Sequence, residues 1–186
     1  NLATIMTDCI EEFLTEWESQ CDRGKTIELS AEMMHLTLKV VVKALFSNTL
    51  SETDFKDITK IFKPLLEAVN ARISLPVKML YRLPLNKNKK YQGYIDTLDD
   101  IIYRIIADRR VADNKPTDLL QMLMDATDEE TGLPLTDVEL RNELMTMFIA
   151  GHETTANAMS WLWTVLSSNS DIREKVEQEV DEVLGD

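Results

Sequence analysis

Residues 137–167 read DVELRNELMTMFIAGHETTANAMSWLWTVLS, a mostly apolar run of some thirty positions without a proline. Proline removes a backbone donor and clashes with the preceding turn, so its absence over this length predicts one unbroken helix from Asp137 to Ser167. At ~1.5 Å per residue such a helix is about 45 Å long and crosses a whole domain. Its start is marked too. Thr136 and Glu139 stand as Thr-x-x-Glu, the capping-box spacing in which each side chain serves the other's backbone N–H. The acidic stretch 128–134 before it contains Gly132 and Pro134 and reads as a turn.

Near the middle of this helix stands Ala150-Gly151-His152-Glu153-Thr154-Thr155. Glycine costs about 1 kcal/mol in a helix interior and threonine is a weak helix former. Glu153 also places a charge in an apolar stretch. Local rules are broken where function needs it, which makes this the first place to look for chemistry. Ala150 and Thr154 are four apart, so the Thr154 hydroxyl is in reach of the Ala150 carbonyl and can loosen the helix there. Gly151 has no side chain, so a flat cofactor or a diatomic molecule can approach the backbone. Met147, Ala150, Gly151, Thr154 and Ala158 share one face, small at its centre, with Glu153 about 100° round from Thr154. A carboxylate beside a hydroxyl is a reasonable proton relay, one resupplied from solvent and the other donating locally.

Other readings compete. On spacing alone, close packing against another helix is the better account of the small residues. His152-Glu153 also opens a zinc-protease HExxH pattern, but Ala156 stands where the second His is needed. The other histidine, His35, is distant in sequence and reads as a core or surface residue.

Outward from this helix the chain is helical throughout. The five Gly and five Pro among 186 residues are few, while Leu, Met, Ala, Glu and Asp are common, which predicts an all-α fold with a single core. Leu2, Met6, Cys9, Phe13 and Trp17 form one amphipathic face over residues 2–21, placing Cys9 in a core rather than in a metal site. An extended stretch 26–29 leads to Ser30, a candidate N-cap for a helix through Val40 to Phe46. Ser51 and Asp54 resemble a cap for the next helix, in which Pro64 marks a kink or boundary. Pro76 and Pro84 bracket a loop carrying Lys78, Arg82, Lys87, Lys89 and Lys90, read as a solvated segment. A long helix from Lys90 to Val111 turns Leu98, Ile101, Ile102, Ile105 and Ile106 inward, and a short one follows over Leu119 to Leu123. Ser170 is the candidate cap of a last helix ending at Gly185.

The formal charge is -13, and all of the excess lies in residues 116–186, with 16 acidic and 3 basic side chains. Phosphate would repel such a chain, which sets nucleic acid aside as a partner. Cys9 and Cys21 form no CxxC and have no second pair, so no metal site is read from them. No apolar run reaches eighteen residues, so no membrane segment is expected. Asn1 in place of Met suggests a start further upstream.

The stretch Met147-Phe148-Ile149-Ala150-Gly151-His152-Glu153-Thr154-Thr155-Ala156 closely resembles the signature of the long distal helix of cytochromes P450, Ala/Gly-Gly-x-Asp/Glu-Thr-Thr/Ser. Ile106-Ala107-Asp108-Arg109-Arg110, Asp118-Leu119-Leu120, and residues 128–134 and 172–185 resemble its surroundings in that family, so the likeness covers essentially the whole chain. It implies the helical part of the P450 fold, truncated at both ends, in a larger one-domain enzyme. That parent would be a haem-dependent monooxygenase, resembling soluble bacterial members, that inserts one atom of O2 into a lipophilic substrate such as a fatty acid. Its electrons would come from NAD(P)H through a redox partner or a fused reductase, in the cytoplasm. The resemblance makes Thr154 the residue that hydrogen-bonds dioxygen at the haem and helps protonate it, and Glu153 the acid that feeds the relay. Ala150 and Gly151 would lie against the haem face, with Thr155 beside them and Met147 and Ala158 bordering haem or substrate. His152 falls at the variable position of the pattern and has no implied role.

The family's haem is held by a Cys thiolate in a Gly- and Phe-containing loop, and neither Cys9 nor Cys21 has that context. The Glu-x-x-Arg helix is expected beyond Asp186, and the sheet region with Trp-x-x-x-Arg before Asn1. The chain alone is therefore expected to be an inactive fragment that does not bind haem in the normal way. The competing expectation is a stand-alone acidic helical interaction module without catalysis. The sequence after Asp186 discriminates the two.

Overall fold

The computed structural model describes residues 2–21, 24, 26–47, 49–74, 86–128 and 130–185. Seven helices are described in chain order: α1 Leu2–Cys21, α2 Leu29–Phe46, α3 Glu52–Ser74, α4 Asn86–Val111, α5 Leu119–Asp125, α6 Asp137–Ser168 and α7 Ser170–Leu184. Among the described residues there is no strand, only an isolated bridge between Thr127 and Pro134, so the all-α expectation holds. The chain divides into two compact units, Ala3–Val40 with Ile149–Asp186, and Val41–Phe148.

In the first unit, α1, the first part of α2 and the second half of α6 share a core. Cys9, Phe13, Met33, Leu36 and Ala156 are buried together, with Trp17 and Met159 packed at the margin. Each such large apolar side chain contributes about 1.5–3 kcal/mol when fully buried. Cys9 is 0% exposed and belongs to this core, as its place on the apolar face of α1 predicts. The N-terminal half of the expected stripe differs, because Leu2 and Met6 remain exposed. The Phe13 and Trp17 rings meet at 4.7 Å between centroids, and the Trp17 indole N–H donates to Glu32 at 3.1 Å. α2 begins at Leu29, ahead of Ser30, with Glu32 N–H closing its first turn on the Glu28 carbonyl. Ser30 is therefore inside the helix rather than capping it.

In the second unit α3 and α4 pack on each other. Leu98, Ile101, Ile102, Ile105 and Ile106 line the buried side of α4 as the period predicts. Phe62 of α3 meets Phe148 of α6 edge to face, 5.0 Å between ring centroids. Ser51 caps α3 by accepting the Asp54 N–H at 3.1 Å, and Pro64 lies inside an α3 that continues to Ser74. α4 starts at Asn86, earlier than the sequence suggests, so Lys87, Lys89 and Lys90 belong to its first turns and not to a loop. The remaining residues of that expected loop, Pro76, Lys78, Arg82 and Pro84, lie outside the described residues.

One residue of α4 breaks the apolar stripe. Arg109 is 2% exposed and makes a two-pronged ion pair with Asp118, 2.7 and 2.8 Å. Its Nη2 also donates to the Thr49 hydroxyl at 3.0 Å, and Asp118 caps α5 by accepting the Gln121 N–H at 2.9 Å. Three segments, α4, the start of α5 and the stretch at Thr49, are thus joined around one buried charge pair.

The capping box at the start of α6 is formed. Glu139 N–H donates to the Thr136 hydroxyl at 3.3 Å, and Thr136 N–H to the Glu139 carboxylate at 2.8 Å. Such caps contribute about 1 kcal/mol. Asn169 takes the cap position of α7, leaving Ser170 as its first helical residue. Gly185 ends α7 with φ +77°, a conformation that side chains disfavour.

Candidate functional site

The face singled out in sequence is open along α6. Ala150, Gly151, Thr154, Thr155 and Ala158 are exposed, Met147 is 36% exposed, and Glu153 is half-buried. On the other side Leu144, Met145, Phe148, His152 and Ala156 are buried. A helix two-sided in this way packs through one stripe and presents the other. The small residues of the site therefore do not serve packing among the described residues, as the spacing alone had suggested they could. They form a shallow, apolar strip bordered by the Thr154 hydroxyl and the Glu153 carboxylate.

The Thr154 hydroxyl donates to the Ala150 carbonyl at 2.6 Å. Thr146, Ser160 and Thr164 make the same i−4 bond on this helix, at 2.9, 2.7 and 2.8 Å, so the bond by itself does not mark a site. What distinguishes Thr154 is its setting, one turn after Ala150 and beside Gly151 on the exposed strip. With its proton shared with a backbone carbonyl, the hydroxyl turns its lone pairs outward, and rotation about its C–O bond frees the proton for an outside acceptor.

Among the described residues no group of His, Cys, Asp and Glu is placed to hold a metal ion. Ala156, which stands at the second HExxH position, is buried in the core. Cys9, closed into the core, has no approach for an outside ligand.

Two positions carry more than the sequence suggested. His152, left without a role there, is 2% exposed, and its Nε2 lies 3.0 Å from the Met34 carbonyl of α2. The signal was available in the spacing Phe148, His152, Ala156, where a polar ring occupies an apolar stripe. Arg109 shows the same signal, one turn after Ile105 on the buried side of α4.

Burial pushes the His152 pKa below its ordinary value, and the bond to Met34 only partly offsets this. The folded chain thus keeps this ring neutral where the unfolded chain protonates it. The stability so contributed is complete above the unfolded value of about 6.5 and declines as pH falls from there toward the depressed folded value. Urea titrations at about pH 7.5 and about pH 5.5 should show lower stability at the acid pH, with part of the difference removed in His152→Gln. An equal pH dependence in both proteins would contradict it.

Fold and face together define an all-helical chain whose longest helix exposes a strip of small residues next to an acid and a hydroxyl. Comparison with known proteins gives that chain its family. The family model for cytochrome P450 matches residues 1–186. Cyclooctatin synthase of Streptomyces melanosporofaciens is 33% identical over 95% of this chain and 40% of its own length. The bifunctional cytochrome P450/NADPH--P450 reductase 2 of Bacillus subtilis (strain 168) is 28% identical over 98% of this chain and 18% of its own length. Among solved structures, the cytochrome P450DA heme domain superposes with a TM-score of 0.81 at 24% identity, over 98% of this chain and 39% of that one. The chain belongs to the cytochrome P450 family, and it spans two fifths or less of the length of these relatives.

Proposed function

We propose that the chain forms the distal, oxygen-handling part of a haem-dependent monooxygenase that inserts one atom of O2 into a lipophilic substrate such as a fatty acid. The observation that carries this is the exposed strip of α6, small at Ala150 and Gly151 and flanked by Thr154 and Glu153. Those residues suit the flat face of a haem on its distal side, because nothing larger than a methyl group projects at the centre of the strip. Cys9, enclosed in the core, would not hold the haem iron. Haem, when bound, supplies the redox chemistry.

The roles proposed for the chain's own residues are those the family resemblance implies, and their chemistry suits them. Ala150 and Gly151 admit the ligand and a diatomic molecule to the backbone. Thr154 accepts from and donates to oxygen across the strip, its hydroxyl moving between the Ala150 carbonyl and the outside partner. Glu153, half-buried, returns a proton to that hydroxyl from the solvent side. Thr155, Met147 and Ala158 border the same strip and shape what lies against it. Electrons come from NAD(P)H through a partner protein or a fused reductase, a reading favoured by relatives that carry a reductase in the same chain. No described helix is long and apolar enough to cross a membrane. The proposed cytoplasmic location rests on the resemblance to soluble bacterial members of the family.

The haem-loaded parent enzyme, given NAD(P)H, a reductase and long-chain fatty acids under heavy-isotope dioxygen, should place one heavy atom in a hydroxylated product and the other in water. Two heavy atoms in the product, or a product labelled only from water, would overturn the reaction type. Turnover of other apolar molecules but of no fatty acid would overturn the substrate class alone.

A further inference from the structure

Two features of α6 lie back to back. On the open side the helix is soft, because Gly151 lowers its local propensity and the Thr154 hydroxyl shares the Ala150 carbonyl with the backbone ladder. About 160° round from Thr154, at ~100° per residue, His152 is buried with its Nε2 at 3.0 Å from the Met34 carbonyl. A carbonyl oxygen only accepts, so Nε2 carries the proton and the neutral ring is held in one tautomer. The acceptor is itself held in place. Thr37, also buried, donates to the Met33 carbonyl at 2.9 Å and approaches the Met34 carbonyl at 3.3 Å. One turn after His152, Ala156 closes the contact in the core shared with Cys9, Phe13, Met33 and Leu36.

Apolar contacts along this stripe hold α6 against its neighbours but are non-directional, and they tolerate rotation of the helix about its axis. A buried hydrogen bond between a ring and a backbone carbonyl is directional and fixes that rotation. We infer that His152 is a positioning residue, clamping α6 to α2 behind its softened turn so that Glu153 and Thr154 are held at a set angle on the open face. The consequence for turnover rests on the oxygen-handling role proposed above; the clamp itself does not.

The clamp is tested first in the unaltered protein, by long-range proton–nitrogen NMR of the histidine rings. The expected result is a His152 ring with its proton on Nε2, exchanging slowly with solvent. A proton on Nδ1, or a ring averaging between tautomers, would overturn the inference, whatever the variants do. Hydrogen exchange then compares His152→Phe, which fills the space without donating, with His152→Gln, which restores a donor. Amides 150–156 are expected to exchange roughly three- to tenfold faster in His152→Phe while those of α4 do not change, with recovery in His152→Gln. Acceleration equal throughout the chain, or none at 150–156, would refute a local clamp.

In the haem-loaded protein His152→Phe should lower product formed per NAD(P)H several-fold with little change in KM. Full coupling in His152→Phe beside an uncoupled Thr154→Ala would sink the positioning role and leave the oxygen-handling role standing. Full coupling in both variants would sink the oxygen-handling role, and the exchange data would still decide the clamp.

Discussion

Replacing Thr154 by Ala is expected to uncouple the haem-loaded parent enzyme: NAD(P)H and O2 continue to be consumed, product per NAD(P)H falls on the order of tenfold, and hydrogen peroxide accumulates. The substitution removes the hydroxyl that bonds to the Ala150 carbonyl on the exposed strip. The helix itself should survive, because Ala is a better helix former than Thr and the bond to the Ala150 carbonyl is a local one. On the proposed reading, what is lost is a positioned proton donor. Such donors contribute about 10²–10⁴-fold, and a smaller effect is expected on the product ratio because a water held in the space left by the hydroxyl substitutes in part. Thr154→Ser keeps the hydroxyl and should retain most of the coupling. The measurement is the ratio of product to NAD(P)H, with peroxide assayed in parallel. Unchanged coupling in Thr154→Ala would remove this residue from proton delivery.

The second large effect is on stability. Arg109→Met is expected to destabilise the chain by about 3–5 kcal/mol, because it leaves the Asp118 carboxylate buried without its partner. Asp118 is fully enclosed, and its remaining bond to the Gln121 N–H does not neutralise it. The pair also joins α4 to the start of α5 and to Thr49, so its loss loosens several segments together. In the double variant Arg109→Met with Asp118→Leu no charge stays buried, and stability should recover by a few kcal/mol, short of the original by about 1 kcal/mol for the lost α5 cap. Urea unfolding of the three proteins checks this as a cycle. A loss under about 1 kcal/mol in Arg109→Met would mean that water reaches Asp118 and that the pair behaves as a surface one.

Both predictions concern residues whose importance differs in how plainly the chain announces it. Thr154 and its neighbours violate helix propensity in a row, and that is visible without coordinates. Arg109 is a good helix former with an ordinary sequence environment, and only the stripe of isoleucines before it hints at burial. His152 lies between these cases: it is part of the motif, yet its partner is a backbone carbonyl 118 residues away. Side chains that bond to distant backbone leave no pattern in sequence, since every residue carries a carbonyl.

The element boundaries show the same division. The capping box of Thr136 and Glu139 and the Ser51 cap of α3 were legible because both partners lie within one turn. Ser30 and Ser170 had the right residue type, but each stands inside its helix, where no cap is needed. The early start of α4 at Asn86 could not be read from its three lysines, which are as acceptable on an exposed first turn as in a loop.

The sequence by itself determined the all-helical class, the span of α6 and the face of that helix on which Ala150, Gly151 and Thr154 stand, because helical periodicity and capping act over a few residues. Only the tertiary structure decided that this face is the open one. The reason is physical: small residues serve equally for close packing and for admitting a ligand, and the choice depends on what lies opposite. Here Phe148, His152 and Ala156 are buried on the other side of α6, while the strip of small residues is exposed among the described residues.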